Sequence, residues 1–203
     1  MAMSRAMMFR RMLLAAAPAT ALAQGFRFIE TPQALALLRA GGLNLYIRHA
    51  ITDRSQVDTG RRGDRAGQRN LSAAGEAQAR ALGAAFRRLN IPVAEVLTSE
   101  VFRALETAQL AFGQARIHPS LIADDYTSGD AMADARAVSR ELLAAPVAGG
   151  IRVLVGHIVP LGMMLGRSLA QQEFPEGSMG VFRPTGAAWE FLGFVTAEQL
   201  IGA

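Results

Sequence analysis

Two histidines stand where apolar segments of the chain stop. The apolar segment that begins at Leu43 ends on Arg48-His49, and the one that begins at Ile151 ends on His157. An arginine side chain stays charged at any working pH, and its fork of N–H donors matches the oxygens of phosphate. A neutral imidazole is a competent nucleophile toward phosphorus near neutral pH. Together, these residue types favour a site that binds a tetrahedral dianion and attacks it with a nucleophile.

A third segment adds hydroxyl groups and a second arginine. The apolar segment "AEVLTS" ends on Ser99, and Arg103 follows one turn into the next predicted helix. Thr52 comes three residues after His49. If the three segments are parallel strands, their carboxyl ends meet at one edge of the sheet, where ligands gather in such folds. Helices that begin after Ser99 and His157 would add positive N-terminal ends.

The elements that must position these residues alternate between helix and strand. Helices are predicted over 32–42, 71–89, 100–113, 130–145 and 160–170, and strands over 43–47, 94–99, 115–121, 151–157, 179–184 and 187–195. Ser72 is the expected N-cap of the second helix. Because several strands are continuously apolar, we predict an α/β fold with three layers, in which helices cover both faces of a mostly parallel sheet.

Residues 53–70 form a polar segment that is rich in arginine and has no apolar period. Loops of this length are usually functional or disordered. The segment could cover the pocket and supply substrate contacts, or it could be a solvated loop. The candidate contacts are Arg54, Arg61, Arg62, Arg65 and Arg69, with Arg69 as the predicted substrate-binding residue.

Composition excludes several kinds of chemistry. All 21 basic residues are arginine and cysteine is absent, which removes lysine Schiff bases, thiolate nucleophiles and disulfides. No third ligand lies at short spacing from His49 or His157, so we expect no metal site and no cofactor. The third histidine, His118, is expected to be structural.

The first 23 residues have the features of a bacterial secretory signal. They contain three arginines, a short apolar stretch and an Ala-Leu-Ala cleavage sequence that ends at Ala23. We therefore predict a signal peptide over 1–23, export to the periplasm by the Sec or Tat route, and a single domain over 24–203. An uncleaved membrane anchor is the alternative. Because the leader carries no acid, the net charge of +4 falls to about +1 without it, which gives no support to nucleic-acid binding.

Four motifs in order resemble the histidine phosphatase superfamily, in its phosphoglycerate-mutase-like branch. The Arg-His-Gly-x-Thr element of that family resembles "RHAIT", which begins at Arg48. The family's helix opening resembles "LSAAGEAQA", and its Ser-x-x-x-Arg-Ala-x-x-Thr-Ala element resembles "SEVFRALETA". Its late histidine after an apolar strand resembles "VLVGH". The small phosphohistidine phosphatases of this branch are the most similar group, because "IVPL" follows His157 in place of a glycine-rich continuation.

The resemblance implies residue roles and a fold. His49 would be the nucleophile that becomes phosphorylated, and Arg48, Arg103 and His157 would hold the phosphoryl oxygens. Thr52 and Ser99 would contribute to substrate binding. No metal or cofactor would be required. The sheet would contain one antiparallel strand.

Two positions depart from the family pattern. Ala50 stands where the family has glycine, and its methyl group would narrow the approach to the phosphate. The acid that protonates the leaving group is not obvious, and Asp124 and Asp125 are the nearest candidates. We therefore expect an exported phosphatase that acts on a small phosphorylated substrate. The alternatives are a degenerate member that binds phosphate ligands without turnover, and a cytoplasmic phosphohistidine phosphatase.

Overall fold

The computed structural model describes residues 27–203, in which a six-stranded sheet separates two layers of helices. The helices are α1 (Thr31–Ala40), α2 (Ala73–Arg88), α3 (Phe102–Phe112), α4 (Gly129–Ala144), α5 (Ile158–Leu165) and α6 (Ala197–Ile201). The strands are β1 (Asn44–Arg48), β2 (Val93–Thr98), β3 (Arg116–Ile117), β4 (Ile151–Gly156), β5 (Met179–Pro184) and β6 (Trp189–Val195). The predicted signal peptide lies outside the described residues.

The strand order in the sheet is β3-β2-β4-β1-β5-β6. Strand β4 pairs in parallel with both β1 and β2, and β2 pairs in parallel with β3. Strand β5 pairs antiparallel with β1 and with β6, so it is the one reversed strand. The predicted fold class is therefore confirmed.

Strand β1 shows why its sequence is a continuous apolar run. Successive side chains of a strand point to opposite faces, and here both faces are covered. Leu45 and Ile47 join the core beneath α1, α2, α3 and α6. Tyr46 joins the second core, which α4 and α5 cover. Burial on both sides fixes this strand, and with it the position of the Arg48-His49 pair that follows.

Helix α2 begins as predicted and holds the chain that leaves β1. The Ser72 hydroxyl accepts a hydrogen bond from the backbone N–H of Gly75 at 3.1 Å and caps the helix. A Cβ atom at Gly75 would lie 1.8 Å from the carbonyl oxygen of Ile51, so only glycine allows this approach. The glycine of the "LSAAGEAQA" motif therefore lets α2 pack directly against the segment after His49.

Three elements differ from the sequence prediction. Helix α5 ends at Leu165 rather than at residue 170, because Gly166 adopts a left-handed conformation with φ 76°. The strand predicted over 115–121 contains two residues, and a 3₁₀ turn (Pro119–Leu121) takes the rest. Helix α6 was not predicted, although Thr196 and Gln199 form a capping box at its start. Between residues 27 and 203, no helix has both the length and the apolar character needed to cross a bilayer.

Candidate active site

The carboxyl ends of β1 and β4 bring the two predicted histidines together. Arg48 pairs in register with Gly156, so His49 and His157 follow neighbouring positions of adjacent strands. Their ring centroids are 5.5 Å apart, and both side chains are buried. The predicted convergence of these strand ends on one site is therefore present in the structure.

His49 is held in the tautomer that leaves Nε2 free. Its Nδ1 lies 2.9 Å from the carbonyl oxygen of Ala50. Because a carbonyl can only accept a hydrogen bond, Nδ1 carries the proton and the lone pair is on Nε2. Burial and the nearby Arg103 charge hold the pKa of His49 well below its usual 6.5. The imidazole is therefore neutral at physiological pH and has an available lone pair.

Tyr46 fixes the backbone at His157. Its phenol oxygen accepts from the His157 N–H at 2.9 Å and donates to the His157 carbonyl at 3.1 Å. A Cβ atom at Gly156 would lie 2.2 Å from that oxygen, so glycine is required there. Burial, followed by the Arg103 charge, lowers the pKa of the His157 imidazole well below 6.5. Two neutral imidazoles therefore face each other beside positive charge.

Arg48 is anchored at one end of its guanidinium. Its Nη1 donates to the carbonyl oxygen of Phe174 at 2.7 Å. Its Nη2 lies 3.9 Å from the carboxylate of Glu176, which also lies 3.9 Å from Nδ1 of His49. Burial lowers the pKa of Arg48 to about 10, which leaves it charged at neutral pH.

Arg103 is held between two carboxylates. Its Nη1 donates to both oxygens of Asp58, at 2.8 and 3.1 Å, and its Nη2 donates to Asp125 at 2.9 Å. The residue is 2% exposed. Because each terminal nitrogen has a carboxylate partner, the guanidinium is fixed in a single orientation.

Several buried nitrogens around His49 have no hydrogen-bond partner within residues 27–203. They are Nε of Arg48, Nε of Arg69, Nε of Arg103 and both ring nitrogens of His157. The charges of all three arginines reach the His49 imidazole and lower its pKa. A buried donor without a partner is costly, and native structures contain few of them. This grouping fits an anion that offers several acceptor oxygens, as a phosphoryl group does.

The two predicted hydroxyl groups have protein contacts of their own. Thr52 donates to Glu176 at 2.7 Å. The Ser99 oxygen accepts from the Val101 N–H at 3.2 Å, which leaves its own proton available. Both residues are buried. Their predicted part in substrate binding stays a prediction.

Asp124 and Asp125 lie in a 3₁₀ turn (Asp124–Tyr126) next to the site. Asp125 is exposed and binds Arg103. Burial raises the pKa of the half-buried Asp124, and the charge of Asp125 raises it further. Of the two predicted acids, Asp124 therefore has the pKa shift that suits a proton donor.

Ala50 fits its place in the chain without backbone strain. Its N–H donates to the Thr107 hydroxyl at 2.9 Å, and its side chain packs with Leu71 and Ala79. Among the non-glycine residues from 27 onward, only Asn90 has a positive φ, so the backbone at Ala50 does not require glycine. The methyl group therefore lies in an apolar cluster, and its effect on the approach of a phosphate stays a prediction.

The arginine-rich loop 53–70 packs along α3. Arg62 Nε contacts Glu100 at 2.5 Å, and Arg65 pairs with Glu106. The N–H of Phe102 donates to the side-chain oxygen of Gln68 at 3.1 Å. The loop is therefore docked beside the site, and of its arginines only Arg69 contributes a buried nitrogen without a partner.

Sequence reasoning missed Asp58, Phe174 and Glu176, because each lies in an irregular segment with no motif around it. His118 has the structural role expected of it, since its ring caps the 3₁₀ turn that contains Ser120. Within residues 27–203, no group of three or more metal-ligating side chains is arranged to hold an ion.

Comparison with known proteins agrees with the fold. A family model described as histidine phosphatase superfamily (branch 1) matches residues 45–125. No curated protein matches the chain. A structure from Agrobacterium tumefaciens, assigned as the phosphohistidine phosphatase SixA, is 21% identical with a TM-score of 0.51, over 77% of this chain and 98% of that one.

Two further structures are similar at lower identity. A mycobacterial glucosyl-3-phosphoglycerate phosphatase in complex with VO3 is 15% identical with a TM-score of 0.54, over 76% of this chain and 99% of that one. A phosphoserine phosphatase from Entamoeba histolytica, in complex with 3-phosphoglyceric acid, is 14% identical with a TM-score of 0.54, over 78% and 98% of the two chains. The family-model match, the topology of the sheet and the placement of the four motifs all make the chain similar to the histidine phosphatase superfamily.

Proposed function

We propose that the protein is a phosphatase that hydrolyses small phosphomonoesters through a phosphohistidine on His49. One observation carries this proposal. Partnerless nitrogens belong to His157, whose ring lies 5.5 Å from that of His49, and to three arginines whose charges lower the pKa of His49. The His49 imidazole is neutral, and its Nε2 lone pair is available. Such a site can bind a phosphoryl group and attack it with the same geometry.

In the first step, Nε2 of His49 attacks phosphorus. The N–P bond forms and the bond from phosphorus to the ester oxygen breaks, so the leaving oxygen gains the electron pair and needs a proton. Asp124 is the proposed donor, because burial raises its pKa and favours the protonated carboxyl. Asp125 is the less suitable donor, because its carboxylate binds Arg103.

In the second step, water attacks the phosphorus of the phosphohistidine. The N–P bond breaks, the electron pair returns to Nε2 and the water proton passes to the Asp124 carboxylate. Inorganic phosphate then leaves. In both steps the arginine Nε donors and His157 stabilise charge on the phosphoryl oxygens, and they need little rearrangement because burial already fixes them.

The proposed substrate is small and the proposed location is outside the cytoplasm. The similar mycobacterial and Entamoeba phosphatases are named for small phosphorylated metabolites, which supports a small phosphomonoester here.

The leader-like sequence that ends at Ala23 supports export of the protein. Sequencing the N-terminus of protein recovered from the periplasm tests this part, and an intact Met1 in that fraction would refute cleavage.

The test of the activity uses p-nitrophenyl phosphate. The wild type and His118→Ala should hydrolyse it at similar rates, because the His118 ring contacts Ser120 and none of the residues proposed to hold the phosphoryl group. His49→Ala should lose at least about 10³-fold in kcat, as removal of a nucleophile does. Undiminished hydrolysis by His49→Ala would refute the assignment of the nucleophile.

A further inference from the structure

Asp58 is the most tightly held acid of the loop 53–70. Its carboxylate accepts two hydrogen bonds from Nη1 of Arg103, one from the Tyr126 hydroxyl at 2.5 Å and one from the backbone N–H of Arg69 at 3.2 Å. Its side chain is 11% exposed. These contacts join the loop, α3 and the 3₁₀ turn at Tyr126 at a single carboxylate.

The carboxylate of Asp58 is ionised at neutral pH. Burial alone would raise its pKa, but the hydrogen bond from Tyr126 and the charge of Arg103 hold the pKa below its ordinary value. The same contact, after burial, raises the pKa of the Tyr126 hydroxyl, which therefore stays protonated and keeps donating. The contact with Arg103 is thus a charged, largely buried pair that the phenol reinforces.

Two consequences are physically possible. The carboxylate could occupy the position of the substrate anion and compete with it, or it could orient the arginine while the anion binds elsewhere on the guanidinium. Asp58 and Asp125 fill the terminal nitrogens of Arg103 and leave Nε open. Nε of Arg69 is open too, although Asp58 binds the backbone of that residue. The open donors are therefore the ones that Asp58 does not use, which favours orientation over competition.

We propose that Asp58 is a positioning residue, which holds the guanidinium of Arg103 and the backbone of Arg69 so that the Nε donors of both residues face the phosphoryl group. This role rests on the proposed function, because it assigns a phosphoryl group to the open donors. It makes the loop 53–70 part of the proposed active site, through the acid that binds Arg103.

The test compares Asp58→Asn and Asp58→Ala with Asp64→Asn. Asp64 lies on the same loop, where it accepts a hydrogen bond from the Ala66 N–H and approaches Arg61 instead of Arg103. Hydrolysis of p-nitrophenyl phosphate gives kcat/KM, and calorimetry with orthovanadate gives Kd. Both Asp58 variants should lose about 10- to 100-fold in kcat/KM and bind vanadate more weakly, whereas Asp64→Asn should stay within about twofold.

A double-mutant cycle separates positioning from a general structural role. Asp58→Ala made in an Arg103→Ala background should cost less than about threefold further in kcat/KM, because most of the effect passes through Arg103. Should Asp58→Ala fail to fold, Tyr126→Phe removes one hydrogen bond from Asp58 and should weaken vanadate binding in the same direction.

Tighter vanadate binding by Asp58→Asn would overturn the proposal, since it would show that the carboxylate competes with the anion. Equal losses in the wild-type and Arg103→Ala backgrounds would overturn it as well. If the wild type does not hydrolyse the ester, the proposed function fails, while the vanadate Kd values still decide the role of Asp58.

Discussion

The arginines of the site and the arginines on the outer side of the loop are built differently. Arg48 and Arg103 are each 2% exposed, and each keeps an Nε without a partner within the described residues. The side chains of Arg62 and Arg65 are 60% and 51% exposed, and each pairs with a glutamate of the α3 region. Exposed pairs contribute little to stability, whereas buried donors left open reduce it. The difference indicates that the buried set is arranged for a ligand.

Among the substitutions that test this difference, removal of a buried arginine should cause the largest loss of activity. Arg103→Ala deletes the open Nε donor and leaves Asp58 without its cation. We expect kcat/KM to fall by about 10³-fold, as when a preorganised donor is lost. Steady-state kinetics measures the change, and a loss below about tenfold would mean that Arg103 does not contact the transition state.

The buried histidines should make stability depend on pH. Their pKa values lie well below 6.5 in the folded protein and return to about 6.5 on unfolding. Below pH 6.5 the unfolded chain therefore binds more protons, so the free energy of unfolding decreases as the pH falls. Each histidine contributes up to about 1.4 kcal/mol per pH unit in this window.

Urea denaturation between pH 7 and pH 5 measures this slope. His157→Gln, which cannot titrate, should reduce the slope by up to about half relative to the wild type, because it removes one of the two strongly shifted groups. Equal slopes in the two proteins would show that His157 is not held neutral by the fold.

Removal of an exposed arginine should cause the smallest change in activity and in stability. Arg62→Ala breaks only its surface pair with Glu100. We expect a change within about 0.5 kcal/mol in the free energy of unfolding and within about twofold in kcat/KM. Chemical denaturation and the p-nitrophenyl phosphate assay measure both quantities, and a tenfold kinetic loss would place Arg62 in the site instead.

The part of the site that was predictable lies at the ends of regular strands. The continuous apolar character of β1 and β4 predicted parallel neighbours, and parallel neighbours place His49 and His157 at one edge. The spacing of Arg103 after Ser99 likewise predicted that Arg103 lies on α3, where it is the second residue because the helix begins at Phe102. These inferences succeeded because strand direction and helical period fix side-chain position.

The part that was not predictable lies in irregular backbone. Asp58 reaches Arg103 across 45 positions of the chain, and Glu176 reaches Thr52 across 124. No periodicity relates such positions, because loop conformation depends on the surface that the loop packs against. The surroundings of Ala50 were not predictable for a similar reason, since the direction of its methyl group depends on where α2 and α3 pack.

The most direct test of the account is to find the phosphoryl group on the enzyme. Protein mixed with p-nitrophenyl phosphate, quenched rapidly in alkali and digested, would be analysed by peptide mass spectrometry. The account predicts a phosphoryl group on His49 that is absent from His49→Ala. A phosphoryl group on another residue, or continued turnover by His49→Ala, would contradict it.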